Sequence, residues 1–394
     1  MLLNRLRLRN FRTYEHLDLR LSPGVTLLTG PNGAGKTNVL EAIFVLATTK
    51  SFRTRTDREL ISWDSVEETV PRYARLEAHA QVNGGSVRVD MAIAEQPSRA
   101  GGGEPPLRKQ FRLNGSPKRA TDIVGCIKAV LFSPDDVALV TGSPSARRRF
   151  MDLALCQVDH RYLHLLQEYG RIVVQRNSLL QRLRGRPDPA TLLEFWDDRL
   201  VAAGVEIIAA RRAMLGLLGD FAREAYADLA GPDEELAVVY RPSLEDADEA
   251  PLAQLPDLLR RRLAQVQTKE IYQGVTLCGP HRDDLQFLVD RSDVQYYGSR
   301  GQQRSVALSL RLAELGFMTN RTGETPVLLL DEAMAELDET RRALLVRLME
   351  SHPQVLATTS NLLTYSEDFR EKATLLRVSA GEITVEPPAR ARAS

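Results

Sequence analysis

The sequence lacks any uninterrupted apolar run of the roughly 18 residues that a membrane-spanning helix needs. Its first residues, Met1–Arg5, also lack the apolar core and the small-residue cleavage site of a signal peptide. The only cysteines are Cys126, Cys156 and Cys278, and no two of them form a C-x-x-C pair. Such spacing argues against a zinc site and against a disulfide framework. These absences predict a cytoplasmic protein with reduced thiols and no membrane association.

The chain also has no net charge, because 52 Lys and Arg residues balance 52 Asp and Glu residues. The balance is uneven along the chain. Residues 1–132 contain 20 basic residues against 13 acidic ones, a difference of +7. A polyanionic partner is therefore expected to meet this first segment.

The most informative stretch follows the apolar run 25–29 and opens a helical pattern. It matches the phosphate-loop pattern G-x-x-x-x-G-K-[ST] in its usual strand-loop-helix context. The matching residues are Gly30, Pro31, Asn32, Gly33, Ala34, Gly35, Lys36 and Thr37. The glycines allow backbone N–H groups to face an anion at the positive end of the helix. Lys36 would reach the β- and γ-phosphates and the Thr37 hydroxyl would coordinate Mg²⁺, so the stretch predicts a nucleoside triphosphate site.

Basic residues occur on both sides of this loop. Alternating apolar and basic residues over 2–8 predict a half-buried edge strand, and the turn that follows contains Arg12. After the loop helix comes a basic segment with interleaved hydroxyls, containing Lys50, Arg53, Arg55 and Arg58. Such segments are usually solvated, so two interpretations stay open: contact of these residues with nucleic acid, or structural pairing of Arg53 or Arg55 with acids of the helical lobe.

Periodicity divides the rest of the chain. Alternating patterns at 74–81, 86–93 and 109–113 predict an antiparallel side sheet. A composition shift at Ser133-Pro134 begins a region of helical patterns at 160–184, 190–229 and 252–271. At 394 residues the chain is too long for one core. We therefore predict one lobe from residues 1–132 and 325–394, and a mostly helical lobe from residues 133–324. Breaks at 185–189 and 231–232 argue against a long coiled-coil arm.

Two later segments contain residues that could bind phosphate or Mg²⁺. Ser299 and Gly301 lie at the start of a predicted helix, a second anion-binding end, although an ordinary capped helix start has the same pattern. The apolar run 327–330 predicts a strand buried on both faces, and it ends in Asp331 and Glu332. Carboxylates at that end of a parallel strand lie where open α/β sheets bind ligands. Asp331 is therefore the Mg²⁺ candidate, and Glu332 can orient or deprotonate the attacking water.

The phosphate loop, residues 299–302, residues 328–332 and residues 335–338 together resemble the phosphate loop, signature motif, Walker B strand and D-loop of the ABC ATPases. The resemblance implies an α/β fold with a mixed sheet around a central helix, an antiparallel side sheet and an inserted helical lobe. It also implies that the signature of one subunit caps the γ-phosphate held by another, so that ATP joins a homodimer. The implied roles are trans signature for Ser299, Arg300, Gly301 and Gln302, D-loop for Asp338, ATP binding for Arg12, and catalysis for Glu332 and Lys36.

Within that superfamily the chain is similar to the RecF family, the branch related to structural-maintenance-of-chromosomes proteins that lacks a long coiled coil. Four segments carry this similarity: residues 8–12, 134–152, 278–284 and 299–304. It implies a recombinational repair protein that binds duplex DNA and single-strand/duplex junctions, and that helps RecO and RecR to load RecA. No base-reading module such as a zinc finger is recognisable, so we expect DNA binding without sequence specificity.

Two departures from the ABC pattern bear on hydrolysis. The chain has Thr358-Thr359 where many members carry a γ-phosphate-sensing histidine, and Ser133-Pro134-Asp135 where a Q-loop glutamine would stand. We therefore expect a weak, DNA-stimulated ATPase. The alternatives are the ATPase subunit of a membrane transporter, which would need a membrane-spanning partner, and a metabolic P-loop kinase, in which the signature motif would have no role.

Overall fold

The computed structural model describes residues 1–54, 56–63, 71–96, 105–184, 189–244, 247, 250–335 and 337–386. Arg55, Glu336 and the predicted break at 185–188 lie outside the described residues. The chain forms two compact units, one of Met1–Asp136 with Met318–Ser394 and one of Val137–Phe317. The lobe boundaries after residues 132 and 324 remain a prediction, because compactness alone does not show which part folds independently.

The first unit begins with an antiparallel sheet and the phosphate-loop strand and helix. The elements are β1 (Leu2–Phe11), β2 (Tyr14–Arg20), β3 (Gly24–Thr29), α1 (Lys36–Thr48), β4 (Tyr73–Val82), β5 (Gly85–Glu95), β6 (Leu107–Leu113), β7 (Ser116–Lys118) and β8 (Ala129–Phe132). The antiparallel sheet has the order β2-β1-β4-β5-β6-β7. β1 therefore has a neighbour on each side, and its prediction as an edge strand is wrong. The alternation of apolar and basic residues shows that one face of the strand is buried, but it does not show how many strands lie beside that strand.

The second unit is mostly helical, as its periodicity predicts. Its elements are α2 (Val137–Thr141), α3 (Pro144–Val158), α4 (His160–Arg182), α5 (Pro189–Ala230), β9 (Leu236–Arg241), α6 (Leu255–Gln273), β10 (Asp284–Val289), β11 (Ser292–Asp293), α7 (Val294–Tyr297) and α8 (Arg300–Thr322). A small sheet has the order β11-β10-β9. β9 was not predicted from the sequence, because only the first of its six residues is buried and its burial shows no clean alternation.

The remaining elements complete a second sheet in the first unit. They are β12 (Val327–Asp331), α9 (Glu339–Ser351), β13 (Gln354–Thr359), α10 (Glu367–Lys372), β14 (Thr374–Ser379) and β15 (Glu382–Val385). The sheet order is β15-β14-β3-β13-β12-β8, and all pairs except β14–β15 are parallel. Every residue of β13 is buried, and so are residues 327–330 of β12, as expected for strands covered on both faces.

Helix α1 lies at the centre of the first unit. It contacts β4 and β5 of the antiparallel sheet and β8, β12 and β13 of the mixed sheet. Of its residues only Thr37 is not buried, because apolar side chains surround the whole helix rather than one stripe of it. This arrangement confirms the predicted fold class of a mixed sheet, a central helix and an antiparallel side sheet. It also places the carboxyl ends of β3, β13 and β12 side by side at one sheet edge.

Candidate functional site

The phosphate loop connects β3 to α1 through backbone conformations that only glycine adopts readily. Gly30 has φ of 140°, and a Cβ there would lie 2.2 Å from the carbonyl oxygen of Val378. Gly35 has φ of 111° and precedes α1, and a Cβ there would lie 2.7 Å from Thr13 Oγ1. Neither position has room for a side chain, so the packing fixes the path of the loop into the helix N-terminus. A backbone of this kind can wrap an anion.

Four predicted site residues come together at this sheet edge. Lys36 Nζ donates to the carbonyl oxygens of Gly30 at 2.9 Å and Pro31 at 3.2 Å. The same ammonium lies 3.3 Å from Glu332 Oε1. Thr37 Oγ1 donates to Asp331 Oδ1 at 2.7 Å, although the two residues are 294 positions apart. The structure thus brings the phosphate loop and the acidic strand end within hydrogen-bond distance.

The end of β13 positions both acids, and the sequence analysis had noted this segment only for its missing histidine. Thr358 Oγ1 donates to Asp331 Oδ1 at 2.9 Å and accepts from the backbone N–H of Glu332 at 2.9 Å. Ser360 donates to Glu332 Oε2 from both its backbone N–H and its hydroxyl, each at 3.2 Å. Glu332 has φ of 49°, an uncommon conformation for a glutamate. No local sequence signal marks Thr358, because its contact depends on β13 lying beside β12.

The side-chain oxygens at this edge of the sheet suit a magnesium ion. Thr37 and Asp331 offer a hydroxyl and a carboxylate oxygen, the hard ligands that Mg²⁺ prefers. No cluster of three or more His, Cys, Asp or Glu side chains suited to a metal occurs among the described residues. Mg²⁺ is commonly held by one or two carboxylates together with substrate phosphates, so this sparse set suits a nucleotide-bound ion.

The turn between β1 and β2 packs against the phosphate loop. The Tyr14 hydroxyl donates to the Gly35 carbonyl at 3.0 Å, and burial raises the Tyr14 pKa, so the hydroxyl keeps its proton. Arg12 donates twice to the fully buried carboxylate of Glu41 on α1, at 2.9 and 2.7 Å. Arg12 therefore lies beside α1, and its contact with ATP remains a prediction.

Two arginines of the predicted basic segment form hydrogen bonds or ion pairs with residues of the first unit. Arg53 Nη1 donates to Asn38 Oδ1 at 2.8 Å. Arg58 forms an ion pair with Glu95 of β5, whereas Lys50 is exposed. Arg58 thus pairs with an acid of the side sheet. DNA contact by Lys50, Arg53 and Arg58 remains a prediction, and Arg55 lies outside the described residues.

The predicted signature lies in the second unit at the start of α8. Ser299 Oγ accepts from the Gln302 N–H at 3.1 Å, and Gln302 Oε1 accepts from the Ser299 N–H at 2.9 Å. This reciprocal capping leaves Ser299 and Arg300 exposed, with Gly301 and Gln302 half-buried behind them. In the first unit Asp338, the predicted D-loop residue, caps α9 by accepting from the Arg341 N–H at 3.0 Å.

The segment 278–284, which carries the family resemblance, is part of the second unit's core. His281 Nδ1 accepts from the Tyr169 hydroxyl at 2.8 Å, and its Nε2 lies 3.2 Å from the Thr276 carbonyl oxygen. Burial lowers the His281 pKa to about 4. Burial also raises the Cys278 pKa to about 12, so this thiol is unreactive. The segment therefore stabilises the helical unit.

The sheet order, the central helix and the phosphate loop facing Asp331 and Glu332 define an ATPase head of the ABC and structural-maintenance-of-chromosomes type. A family model described as "RecF/RecN/SMC N terminal domain" matches residues 2–382. A "DNA replication and repair protein RecF" from Chloroflexus aurantiacus is 42% identical over 390 residues, which covers 97% of this chain and 99% of the relative. A relative of the same name from Halalkalibacterium halodurans is 37% identical over 384 residues, with the same coverage. The chain belongs to the RecF family of DNA replication and repair proteins.

Solved structures agree with this assignment. A structure described as the "recombination mediator protein RecF-ATP in RecFOR pathway" is 28% identical, with a TM-score of 0.86 over 98% of both chains. An Smc head domain from Pyrococcus furiosus is 16% identical with a TM-score of 0.55, and this similarity shows the fold alone. The described residues contain no helix that is long and apolar enough to cross a membrane. Membership of the RecF family of DNA replication and repair proteins does not favour the interpretation as a transporter ATPase.

Proposed function

We propose that this chain binds ATP with Mg²⁺ at the phosphate loop, and that ATP joins two copies into a dimer that holds DNA during recombinational repair. The observation that carries the proposal is the 2.7 Å hydrogen bond from Thr37 to Asp331 beside Lys36. This geometry is the one expected for a phosphate loop facing a Walker B acid. The RecF relative solved with ATP supports the choice of nucleotide.

Each residue of the site has a distinct task in this proposal. Lys36 contributes a point charge to the β- and γ-phosphates, and Thr37 with Asp331 would hold Mg²⁺, which neutralises charge on the phosphates. Glu332 orients or deprotonates the attacking water, since Ser360 fixes one of its carboxylate oxygens. Thr358 supplies a hydroxyl already bonded to Asp331 instead of an imidazole, in agreement with slow hydrolysis.

The signature residues complete the site in trans. Ser299 is exposed at the N-terminus of the 23-residue helix α8, where a helix dipole favours a phosphate. A composite site contributes its free energy only when both subunits and ATP are present, so ATP drives dimerisation. Hydrolysis then releases the dimer, and the weak ATPase is stimulated by DNA. The proposed partners are duplex DNA and single-strand/duplex junctions, bound without sequence specificity, together with RecO, RecR and RecA in the cytoplasm.

Sedimentation with and without ATP tests the dimer. Ser299→Arg should leave ATP binding intact and abolish ATP-driven dimerisation, because a long side chain blocks the approach of the γ-phosphate. Ser299→Asp is the sharper variant. Aspartate still caps α8, so the helix keeps its stability, but its carboxylate repels the phosphate.

The matched control is Ser366→Asp at the cap of α10, where Ser366 Oγ accepts from the Phe369 N–H at 3.3 Å. This variant exchanges the same residue types at a helix cap outside the signature, and it should dimerise as the parent does. Loss of ATP binding with unchanged dimerisation in Ser299→Asp would overturn the trans geometry.

A further inference from the structure

The outer face of the antiparallel sheet is unusually rich in arginine. The strand register places Arg5, Arg7 and Arg9 of β1 on this face with Arg20 of β2. Arg75 of β4, Arg88 of β5, and Arg108 and Arg112 of β6 extend it across the sheet. The carboxylates on the same face are Asp18, Glu77 and Asp90. Eight positive against three negative charges give this arginine face a net +5, in a chain whose total charge is zero.

Two of the three acids, Glu77 and Asp90, lie beneath the guanidinium groups. The Glu77 and Asp90 side chains are 8% and 6% exposed, whereas those of Arg7, Arg75 and Arg88 are 43–44% exposed. Glu77 alone lies within 3.3 to 3.8 Å of all three of these guanidinium groups. One buried carboxylate thus holds three arginines side by side. The layer that meets solvent is positive.

Other arginines of this face have no acidic partner. Arg9, Arg20, Arg108 and Arg112 form no ion pair with any residue in the part of the chain that the structure describes. Arg5 lies directly opposite Arg20, and Arg9 lies directly opposite Arg75. Like charges placed directly across two strands destabilise a sheet. Arg5 pairs with Asp18 and Arg75 with Asp90, so these acids offset part of the repulsion.

A cleft of about 360 Å³ lies at one end of the arginine face. Arg5, Arg20, His79 and Arg88 line it together with Asn4 and Asn114, and no carboxylate belongs to its lining. The Nε of Arg88 is buried and donates no hydrogen bond to any described residue. Several N–H donors therefore converge where nothing negative lines the cavity. A phosphate group matches this donor pattern, because guanidinium forks bind phosphate oxygens in pairs.

We propose that the arginine face binds the phosphate backbone of nucleic acid, with one backbone phosphate in this cleft. Same-face residues repeat at about 6.7 Å along a strand and strands lie about 4.8 Å apart, so the face spans roughly 13 by 19 Å. Duplex DNA carries one charge per about 1.7 Å, so about 19 Å of duplex carries about 11 phosphate charges, and those on the side that faces the protein can meet the arginines. None of the large hydrophobic side chains that are exposed among the described residues lies on this face, which favours contact with the phosphate backbone over membrane insertion.

This inference rests on the proposed DNA-binding function and gives it a surface other than the segment around Lys50. The test measures the affinity of ATP-bound protein for duplex DNA as a function of salt. The variant is the triple Arg9→Gln, Arg20→Gln and Arg112→Gln, whose arginines are exposed and form no ion pair with a described residue. Each phosphate contact contributes about 0.9 to the log-log salt slope, so the slope should fall by about 2 to 3 and the affinity at least about tenfold.

Two further triple variants show whether the effect is specific to the arginine face. Arg171→Gln, Arg261→Gln and Arg347→Gln remove the same charge from exposed positions outside the sheet and should bind DNA as the parent does. Lys50→Gln, Arg53→Gln and Arg58→Gln test the segment around Lys50. ATP binding and melting temperature should be unchanged in the arginine-face triple.

The possible outcomes separate the two proposals. Failure of the parent protein to bind duplex DNA at low salt would refute the proposed DNA-binding function. Parent binding with an unaltered slope in the arginine-face triple would refute this surface alone. Binding of the parent to vesicles of anionic lipid, lost in the same triple and without DNA binding, would identify a membrane surface instead and overturn the inference.

Discussion

Lys36 and Glu332 form an ion pair, with the lysine Nζ 3.3 Å from the glutamate Oε1. The pair joins the residue that would meet the phosphates to the residue that would act on water. Lys36 also donates to two carbonyl oxygens of its own loop. Phosphate oxygens are stronger acceptors than carbonyls, so we expect ATP to draw Lys36 away from Glu332. Ser360 would then hold the glutamate by itself.

The first prediction separates these two residues. Lys36→Met should weaken ATP binding by about 10-fold or more, because it removes a charged hydrogen bond made to phosphate in the ground state. Glu332→Gln should bind ATP normally, hydrolyse it about 100-fold more slowly and trap the dimer, because it lacks the carboxylate that acts on water. Equilibrium binding and single-turnover hydrolysis measure the two effects. If Glu332→Gln hydrolyses ATP at the parent rate, another base is needed, and Asp338 is the next candidate.

The second prediction concerns Thr358, whose hydroxyl bonds both to Asp331 and to the Glu332 N–H. Thr358→Val keeps the shape of the side chain but removes the hydroxyl that bonds to Asp331 and to the Glu332 N–H. We expect the affinity for ATP in the presence of Mg²⁺ to fall about 5- to 10-fold, since a lost hydrogen bond of this kind costs about 1 kcal/mol or more.

The neighbouring Thr359 provides the control. It is also buried at the end of β13, but its Oγ1 donates to the Asn361 carbonyl at 2.9 Å and touches neither acid. Thr359→Val should therefore leave Mg²⁺-dependent binding unchanged. Equal losses in both variants would mean that β13 acts through its overall stability and not through the Asp331 hydrogen bond.

The contrast between Asp331 and Thr358 shows how far sequence can predict this site. Asp331 was predicted because a buried apolar run ending in acids has few other interpretations once a phosphate loop is present. Thr358 was not given a role, because its contact depends on β13 lying between β3 and β12. The order of strands in a sheet cannot be read from local sequence. The ion pair of Arg58 with Glu95 was missed for the same reason, since it joins residues from distant segments.

The same limit applies to the secondary structure: elements marked by a local pattern were predicted, whereas features that depend on strand pairing were not. The long helices were predicted because their hydrophobic periods extend over many residues, and β12 was predicted from its continuous apolar run. β1 was misassigned as an edge strand and β9 was missed, because pairing partners decide both cases. The arginine face illustrates the limit most directly. Its arginines are scattered between Arg5 and Arg112, and only the strand register brings them onto one surface.

The third prediction concerns a buried ion pair in the second unit. Arg176 Nη2 donates to Glu270 Oε2 at 2.7 Å, and both side chains are fully buried. Glu270 also accepts from the Leu277 N–H at 2.7 Å. Glu270→Ala leaves a guanidinium buried without this partner, so the free energy of unfolding should fall by about 3–5 kcal/mol in chemical denaturation.

An exposed pair with the same separation is the matched control. Arg161 and Glu206 also lie 2.7 Å apart, but their side chains are 83% and 50% exposed. Glu206→Ala should cost at most about 1 kcal/mol, because water replaces the lost partner. Similar losses in the two variants would show that burial does not decide the strength of these pairs.

The last prediction concerns the pH dependence that His281 gives to stability. Its Nδ1 accepts from Tyr169, and burial lowers its pKa from 6.5 to about 4. The folded protein therefore disfavours the protonated imidazole, whereas the unfolded chain accepts the proton at its ordinary pKa. The contribution of His281 is fully present above about pH 6.5 and is lost as the pH falls towards 4. By pH 4 the loss should reach about 3 kcal/mol of the free energy of unfolding.

The measurement compares urea unfolding of the parent and His281→Gln between pH 4 and 8. Glutamine can donate and accept at this position without titrating, so the difference between the two proteins should shrink steadily below pH 6.5. Other buried groups such as His352 are present in both proteins and cancel from the difference. His164→Gln, on the exposed side of α4, controls for the loss of an imidazole. A constant difference across the range would mean that the Tyr169–His281 contact contributes through packing, and that protonation of His281 does not govern stability in acid.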